Sequence, residues 1–228
     1  MSIKQEIFTL LGGRVQMRHS QYNPTSDAVW LAAYAPTKNI KTVLDVGIGT
    51  GGVSLCLLLH NPDAQITGID TSDARLQICA QNAELNNADI KLINTDITTW
   101  RTSETFDMVI TNPPYFYGTP AAHNAHHNTD LTEWVSRCIS RVRPMGTFCI
   151  ITDAATTATV ISAMSKKLGD IQILPLFGAK DTAERVLISG RLGTRGISVI
   201  HRGISMNTPQ ILWDGLTVAD FLSKLSQQ

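Results

Sequence analysis

The chain has 228 residues, 43% of them hydrophobic, which is enough for one domain with a substantial core. Its 19 basic and 19 acidic side chains balance to a formal net charge of zero, which taken alone argues against a polyanionic partner. The longest apolar stretch, near residues 53–59, is far too short to span a bilayer, and no apolar signal region opens the sequence. These features exclude a membrane protein and predict a soluble, cytoplasmic one.

The N-terminal part of the chain is mixed in character and leads into a short helix. Gly12-Gly13 is typical of a turn between two short strands. Thr25-Ser26 can cap a helix, Asp27 favours its positive end, and Pro36 ends it. Because this helix precedes the first strand of the main sheet, we expect residues 1–41 to form a lid or substrate segment over a pocket.

From residue 42 onward, short apolar strands alternate with helices. Strands are predicted at 42–46, 65–69, 90–94, 105–111, 146–152, 171–177 and 185–191, and helices ending near residues 60 and 85 and at 130–142 and 154–168. Such alternation is typical of a parallel sheet covered by helices on both faces. No helix is evident between the last two strands, so one of them is expected to be antiparallel.

Polar residues lie at or just past the end of each of the first four strands. They are Asp45, Asp70, Asp96 and Asn112. Ligands of such sheets bind at the carboxyl ends of the strands, so we expect these four side chains to surround one pocket. Asp107, inside the fourth strand, is expected to be a surface charge at a strand edge.

A glycine-rich loop follows the first strand. Gly47, Gly49 and Gly52 fit the dinucleotide pattern G-x-G-x-x-G, whereas Gly47, Gly49 and Gly51 fit the looser pattern of enzymes that bind S-adenosyl-L-methionine. The carboxylate of Asp45 suits the ammonium group of that cofactor and would crowd a pyrophosphate. The loop therefore favours S-adenosyl-L-methionine over a nicotinamide dinucleotide.

Two further acids fit the same cofactor. Asp70 is expected to accept hydrogen bonds from both ribose hydroxyls, and Asp96 lies where it could meet the exocyclic amine of the adenine. Structural roles stay open for two of the acids: the alternative for Asp45 is a cap on the glycine loop, and the alternative for Asp96 is a helix N-cap or a turn acid.

The fourth strand runs into Asn112-Pro113-Pro114-Tyr115. Two adjacent prolines hold the backbone in a stiff, extended corner. The side-chain oxygen of Asn112 and the carbonyl of Pro113 can each accept one N–H of an –NH₂ group, while Tyr115 can stack on its plane. We hypothesise that these contacts favour a pyramidal nitrogen whose lone pair points at a methyl donor. The structural alternative is a plain Pro-Pro turn.

Metal and disulfide chemistry are not expected. The four cysteines lie in apolar surroundings without a C-x-x-C pair, which predicts buried, reduced thiols. His123, His126 and His127 have no cysteine or acid cluster beside them, so they are interpreted as part of a loop over the target pocket.

With these elements assembled, the chain resembles the class I methyltransferases that act on an amino nitrogen. More narrowly, it resembles the bacterial tRNA1(Val) (adenine-37-N6)-methyltransferase family. The matching segments are Leu11-Gly12-Gly13-Arg14-Val15, Ser26-Asp27-Ala28-Val29-Trp30-Leu31-Ala32-Ala33, the glycine loop, the Asn-Pro-Pro-Tyr tetrad, Pro175-Leu176-Phe177 and Ala183-Glu184-Arg185-Val186-Leu187.

The resemblance implies a Rossmann-like α/β fold with a mostly parallel, seven-stranded sheet, one antiparallel strand and helices on both faces. It implies one methyltransferase domain over residues 1–228, with its core at 42–228. Asn112, Pro113 and Tyr115 would be catalytic, Asp45, Gly47, Gly49, Asp70 and Asp96 would bind S-adenosyl-L-methionine, and the substrate would be tRNA.

Uneven charge is compatible with RNA. Residues 1–41 carry a net charge of +3, residues 45–133 one of −8 and residues 137–202 one of +6, which indicates a basic footprint beside an acidic pocket. Arg14 and Arg18 are candidate RNA contacts. The main alternative is methylation of a glutamine amide of a release factor, because those enzymes share the tetrad. A DNA methyltransferase or a binding module without catalysis is disfavoured by the short chain and the intact tetrad.

Overall fold

A computed structural model describes residues 6–113 and 131–225 of the chain. Its strands are β1 (Ile7–Leu10), β2 (Val15–Arg18), β3 (Thr42–Val46), β4 (Gln65–Asp70), β5 (Ile90–Asn94), β6 (Phe106–Thr111), β7 (Val142–Asp153), β8 (Leu168–Phe177), β9 (Ala183–Leu192), β10 (Val199–Ile200) and β11 (Ile204–Ser205). Its helices are α1 (Ser26–Tyr34), α2 (Gly52–His60), α3 (Asp73–Leu85), α4 (Leu131–Ile139), α5 (Thr157–Met164), α6 (Pro209–Leu212) and α7 (Val218–Leu225).

Within the described residues, nine strands form the main sheet, in the order β10-β8-β9-β7-β6-β3-β4-β5, with β11 also paired to β8. Strand β9 runs antiparallel to β7 and β8, and the other described pairings are parallel. The predicted class I methyltransferase architecture is confirmed, with seven long strands of which one is antiparallel. Two strands of two residues each extend the sheet at the β8 edge.

Helices cover both faces of this sheet. The side chains of β6 show the division, because Met108 and Ile110 pack with α1 and α2 while Val109 packs with α4 and α5. This alternation follows from the two-residue period of a strand. Helix α2 is apolar almost all round because it is buried between the sheet and α1. Among the described helices, none is long and apolar enough to cross a membrane.

The N-terminal residues form a separate hairpin of β1 and β2, joined by a 3-10 turn at Leu11–Gly13, as the glycine pair predicted. Two side chains hold this hairpin, one from α3 and one from Asn86, which caps the C-terminus of that helix. Asn86 accepts a hydrogen bond from the N–H of Gln16 and donates one to its carbonyl, at 2.9 and 2.7 Å, and Asn82 accepts one from the N–H of Arg18 at 2.9 Å. These two amide side chains, one helical turn apart, therefore make hydrogen bonds to the backbone of β2 that a third strand would otherwise make.

The predicted helix at 154–168 is the main boundary error. A 3-10 turn occupies Ala154–Thr156, and α5 ends at Met164 because Leu168 already pairs with Leu192 in the sheet. Strand pairing therefore overrides the helical propensity of the last predicted turn.

Candidate active site

The carboxyl ends of β3, β4, β5 and β6 lie side by side and surround one cavity. Its volume is about 280 Å³, and Gly47, Asp70, Asp96 and Asn112 are among the residues that line it. A larger, open depression of about 880 Å³ lies at the opposite end of the sheet, and its described lining includes none of the predicted site residues. The smaller cavity is therefore the candidate site, at the edge that the strand order predicted.

The glycine loop takes its shape from left-handed backbone conformations. The φ angles of Gly47, Gly49 and Gly51 are 75°, 58° and 91°, a region that side chains disfavour. The N–H groups of Gly47 and Ile48 both donate to the carbonyl of Ile69, at 2.8 and 3.0 Å. These bonds fix the loop to the end of β4. Because its glycines have no side chains, a ligand can approach the backbone of the loop closely.

Asp70, the last residue of β4, links the loop to the next helix. Its carboxylate accepts hydrogen bonds from the N–H of Gly49 at 3.0 Å and the N–H of Ser72 at 2.8 Å. Arg75 lies 3.8 Å from it across an ion pair. Asp70 is buried yet lines the cavity, so its hydrogen bonds fix a carboxylate in the cavity wall.

Asp45 occupies a different position from the other acids. It lies within β3 rather than at its end, is only 1% exposed, and accepts a hydrogen bond from the Ser54 hydroxyl of α2 at 2.7 Å. Burial raises the pKa of Asp45 to about 7, and the charge of Asp70 adds to that effect. Asp45 is absent from the described lining of the cavity, and its bond to Ser54 is made to a helix rather than to the glycine loop.

Asp96 has turn contacts and also lies in the wall of the cavity. Its Oδ1 accepts hydrogen bonds from the N–H and the hydroxyl of Thr98, both at 2.8 Å, and its carbonyl accepts one from the N–H of Trp100. It is a turn acid by these contacts. It also lines the cavity, so its position is compatible with a contact to a bound purine.

A comparison with protein families settles the class to which this site belongs. The model of the methyltransferase small domain matches residues 26–175, which include β3 to β7 and the whole cavity. The chain belongs to the methyltransferase small domain family. It is therefore a methyltransferase, and the predicted cofactor class, S-adenosyl-L-methionine, is that of its fold.

Individual relatives agree with this assignment. A protein of a Flavobacteriaceae bacterium named tRNA1(Val) (adenine(37)-N6)-methyltransferase is 27% identical, over 81% of this chain and 83% of its own length. A release factor glutamine methyltransferase of Streptococcus pneumoniae is 38% identical, over only 35% of this chain and 29% of its own. Among solved structures, a predicted O-methyltransferase of Agrobacterium tumefaciens shares the fold with a TM-score of 0.66 at 20% identity, covering 88% of this chain and 95% of that one.

In this methyltransferase, the start of the Asn-Pro-Pro-Tyr tetrad follows β6 directly. Asn112 is half-buried and lines the cavity, and Pro113 is buried. Tyr115 and the histidines at 123, 126 and 127 lie outside the described residues. The structure therefore locates the amide-bearing half of the tetrad beside Asp70 and the glycine loop.

Trp134 of α4 is a cavity residue that the sequence did not single out. Its helical spacing is typical of an ordinary core position, and it is indeed only 7% exposed. The indole packs against Gly47, where an added Cβ would lie 3.5 Å from the ring. It also lines the cavity with Asn112. Spacing alone gives no signal that would separate such a wall residue from the core.

The N-terminal segment lies on the glycine loop. The hydroxyl of Thr50 donates to the carbonyl of Tyr22 at 3.2 Å, and the Arg75 guanidinium stacks 4.7 Å above the Tyr22 ring. Asn82 is fully buried and donates to the Thr50 carbonyl at 2.9 Å while its oxygen holds β2. Residues that precede the sheet thus contact the glycine loop, and Asn82 of α3 links that loop to β2.

Asp107 corrects a prediction, because it is buried rather than a surface charge. It accepts hydrogen bonds from the N–H groups of Lys41 and Thr42, at 2.7 and 2.9 Å, and pairs with Arg143. Burial alone would raise the pKa of Asp107, but these bonds and the Arg143 charge outweigh it and lower the pKa. Asp107 therefore anchors the start of β3, far along the strand from the cavity.

The cysteines are free and buried, as predicted, and burial raises the pKa of Cys56 and Cys79 to about 12. Within residues 6–113 and 131–225, no group of three or more His, Cys, Asp or Glu side chains could hold a metal ion.

Proposed function

We propose that this methyltransferase transfers a methyl group from S-adenosyl-L-methionine to the exocyclic N6 amine of an adenine in tRNA, beside the anticodon of a valine tRNA. The observation that carries the proposal is the position of Asn112, at the end of β6 and in the wall of the cavity that Asp70 and the glycine loop also line. An amide oxygen next to a nucleoside-sized cavity is the arrangement that methylation of an –NH₂ group requires.

The residues of the site fit the cofactor. Asp70 presents a buried carboxylate for ribose hydroxyls, Gly47 brings backbone to the cavity without a side chain, and Gly49 donates its N–H to Asp70. We assign Asp45 to the ammonium group of the cofactor, and that cation would favour the ionised form of an acid whose pKa burial has raised. When bound, S-adenosyl-L-methionine supplies an electrophilic methyl group on a sulfonium. Asp96 is assigned to the adenine amine.

The chain itself supplies hydrogen-bond acceptors and position. The lone pair of an adenine amine is delocalised into the ring, which makes the amine a poor nucleophile. The side-chain oxygen of Asn112 and the carbonyl of Pro113 accept its two N–H groups and favour a pyramidal nitrogen. The product proton leaves to solvent, so no tuned general base is needed. The target base is unstacked, and Tyr115 serves as its platform.

A tRNA substrate is favoured by the extent of the similarity. The relative named for tRNA adenine methylation aligns over 81% of this chain, whereas the release factor relative aligns over 35%. A glutamine amide remains the second candidate, because it presents the same –NH₂ group to Asn112. We assign residues 1–41 as the lid segment of a single domain. Of the candidate RNA contacts, Arg14 donates to the carbonyls of Leu11 and Trp213 and thus has a structural role.

The substrate class is tested by incubating the protein with methyl-labelled S-adenosyl-L-methionine and either bulk tRNA or total protein. The proposal expects label in tRNA that survives protease and is lost to ribonuclease, and mass analysis of the nucleosides then expects N6-methyladenosine. Label in protein that survives ribonuclease would replace the proposal with the glutamine alternative.

A further inference from the structure

We propose that Trp134, through Thr111, is a positioning residue that holds the cofactor loop and Asn112 at a fixed separation. This inference rests on the proposed function for its kinetic consequence. Its structural content is one chain of hydrogen bonds that joins the two halves of the site.

The chain of hydrogen bonds begins at the indole. Nε1 of Trp134 donates to the Thr111 hydroxyl at 3.2 Å, and that hydroxyl donates to the carbonyl of Val46 at 2.8 Å. Thr111 is fully buried. A buried hydroxyl that both accepts and donates has a fixed orientation, so each bond in this chain supports the other.

This chain of hydrogen bonds joins the residues that precede the glycine loop and Asn112. Val46 is the last residue of β3 and Thr111 the last of β6, and they are partners in the parallel register. Gly47 follows Val46, and Asn112 follows Thr111. A bond between the Thr111 side chain and the Val46 carbonyl therefore sets the offset between the cofactor loop and the amine-accepting amide.

The indole adds a rigid wall to this link. It lies against Gly47 and lines the cavity together with Asn112. Helix α4 thus contacts the glycine loop through Trp134, and Asn82 of α3 contacts the same loop through a hydrogen bond to the Thr50 carbonyl. Methyl transfer needs the donor and acceptor in a narrow range of distance and angle, and a misplacement of about 1 Å costs about 100-fold in rate.

Core packing alone is the competing explanation, and Trp30 of α1 provides the matched control. It is fully buried, and its Nε1 also donates one hydrogen bond, in this case to the backbone carbonyl of Met206 at 3.1 Å. It is absent from the described lining of the cavity. Trp30→Phe and Trp134→Phe each remove one buried N–H donor and a similar side-chain volume. A difference in hydrogen exchange or methylation rate between them therefore reflects where the indole lies rather than the loss of core packing.

The first experiment compares hydrogen–deuterium exchange of the wild type with Trp134→Phe, Thr111→Val, Thr111→Ser and Trp30→Phe, without any substrate. We expect faster exchange at residues 47–51 and 106–112 in Trp134→Phe and Thr111→Val. Thr111→Ser keeps the hydroxyl and should retain wild-type exchange there, as should Trp30→Phe. Unchanged exchange in Trp134→Phe and Thr111→Val would overturn the inference whatever the substrate is.

The second experiment measures single-turnover methylation and the affinity for S-adenosylhomocysteine on whichever fraction, tRNA or protein, the wild type labels. We expect Trp134→Phe and Thr111→Val to lower the rate by about 10- to 100-fold, with less than about a threefold change in affinity. A rate loss in Trp30→Phe equal to that in Trp134→Phe would overturn the inference. Label in protein alone would refute the tRNA proposal and leave this comparison intact.

Discussion

Replacing Asp45 with asparagine should make the cofactor-free protein more stable while weakening cofactor binding. Asp45 is 1% exposed and receives one hydrogen bond, from Ser54, which an asparagine oxygen can still accept. In the absence of a cation, its ionised carboxylate is an uncompensated buried charge, with the charge of Asp70 nearby. Asparagine has the same shape and no charge to bury.

The size of the effect follows from the pKa of Asp45, which burial raises from 3.8 to about 7. Because the folded state holds this proton more tightly than the unfolded state, the free energy of unfolding falls as the pH rises between those two values and stays low above them. Three pKa units correspond to about 4 kcal/mol, and relaxation around the charge reduces the expected gain for Asp45→Asn to about 1–3 kcal/mol at about pH 8. Near pH 4 the two proteins should be about equally stable.

Urea denaturation of both proteins at the two pH values measures this difference. Calorimetry with S-adenosylhomocysteine measures the second effect, a lower affinity of Asp45→Asn. The affinity of the wild type should rise as the pH rises towards 7, and that of Asp45→Asn should not. If Asp45→Asn were less stable than the wild type at the higher pH, the carboxylate would have a compensating partner and the reasoning would be wrong. Unchanged affinity would remove Asp45 from the cofactor site.

Three further substitutions test individual contacts. Asn82→Ala should weaken S-adenosylhomocysteine binding about tenfold, because it releases the Thr50 carbonyl. Asn86→Ala, which releases the hairpin and the Asn82 carbonyl but keeps the Thr50 contact, should not weaken it, and equal calorimetric affinities of the two variants would contradict this. Asp107→Asn should lower the free energy of unfolding, measured in urea, by about 1–3 kcal/mol at neutral pH. The loss should be smaller in acid, because a carboxylate with a lowered pKa stabilises the fold only while it is ionised. A loss that is independent of pH would refute the ion pair. Gly52→Ala places a Cβ 2.6 Å from that of Pro24 and should lower the melting temperature, with Pro24→Gly restoring it.

The strands and the position of the site could be predicted because each rests on a local pattern. Short apolar runs ending in a polar residue identify both a strand and its carboxyl end, and parallel strands bring those ends together. Asp70, Asp96 and Asn112 accordingly line one cavity. The position of Asp45 one residue inside β3 was also predicted, but its hydrogen bond to Ser54 and its absence from the described cavity lining were not, because they depend on the packing of α2.

The remaining differences depend on contacts between distant segments. Asp107 is buried because two backbone N–H groups 65 and 66 residues away face its carboxylate. Trp134 is a wall of the cavity because Thr111 and Gly47 lie beside it, whereas its own helix shows only core spacing. The end of α5 is set by the pairing of Leu168 with Leu192. Such partners are a property of the folded chain and leave no local signal.

The central claim is that Asn112 holds the amine that is methylated, and Asn112→Ala tests it most directly. The matched control is Asn61→Ala, which removes an asparagine that bonds the Ile40 carbonyl at the far end of β3. Single-turnover methylation of tRNA and S-adenosylhomocysteine affinity are measured for both. We predict that Asn112→Ala loses about 100- to 1,000-fold in rate with affinity unchanged, and that Asn61→Ala keeps its rate. Wild-type methylation by Asn112→Ala would contradict the account.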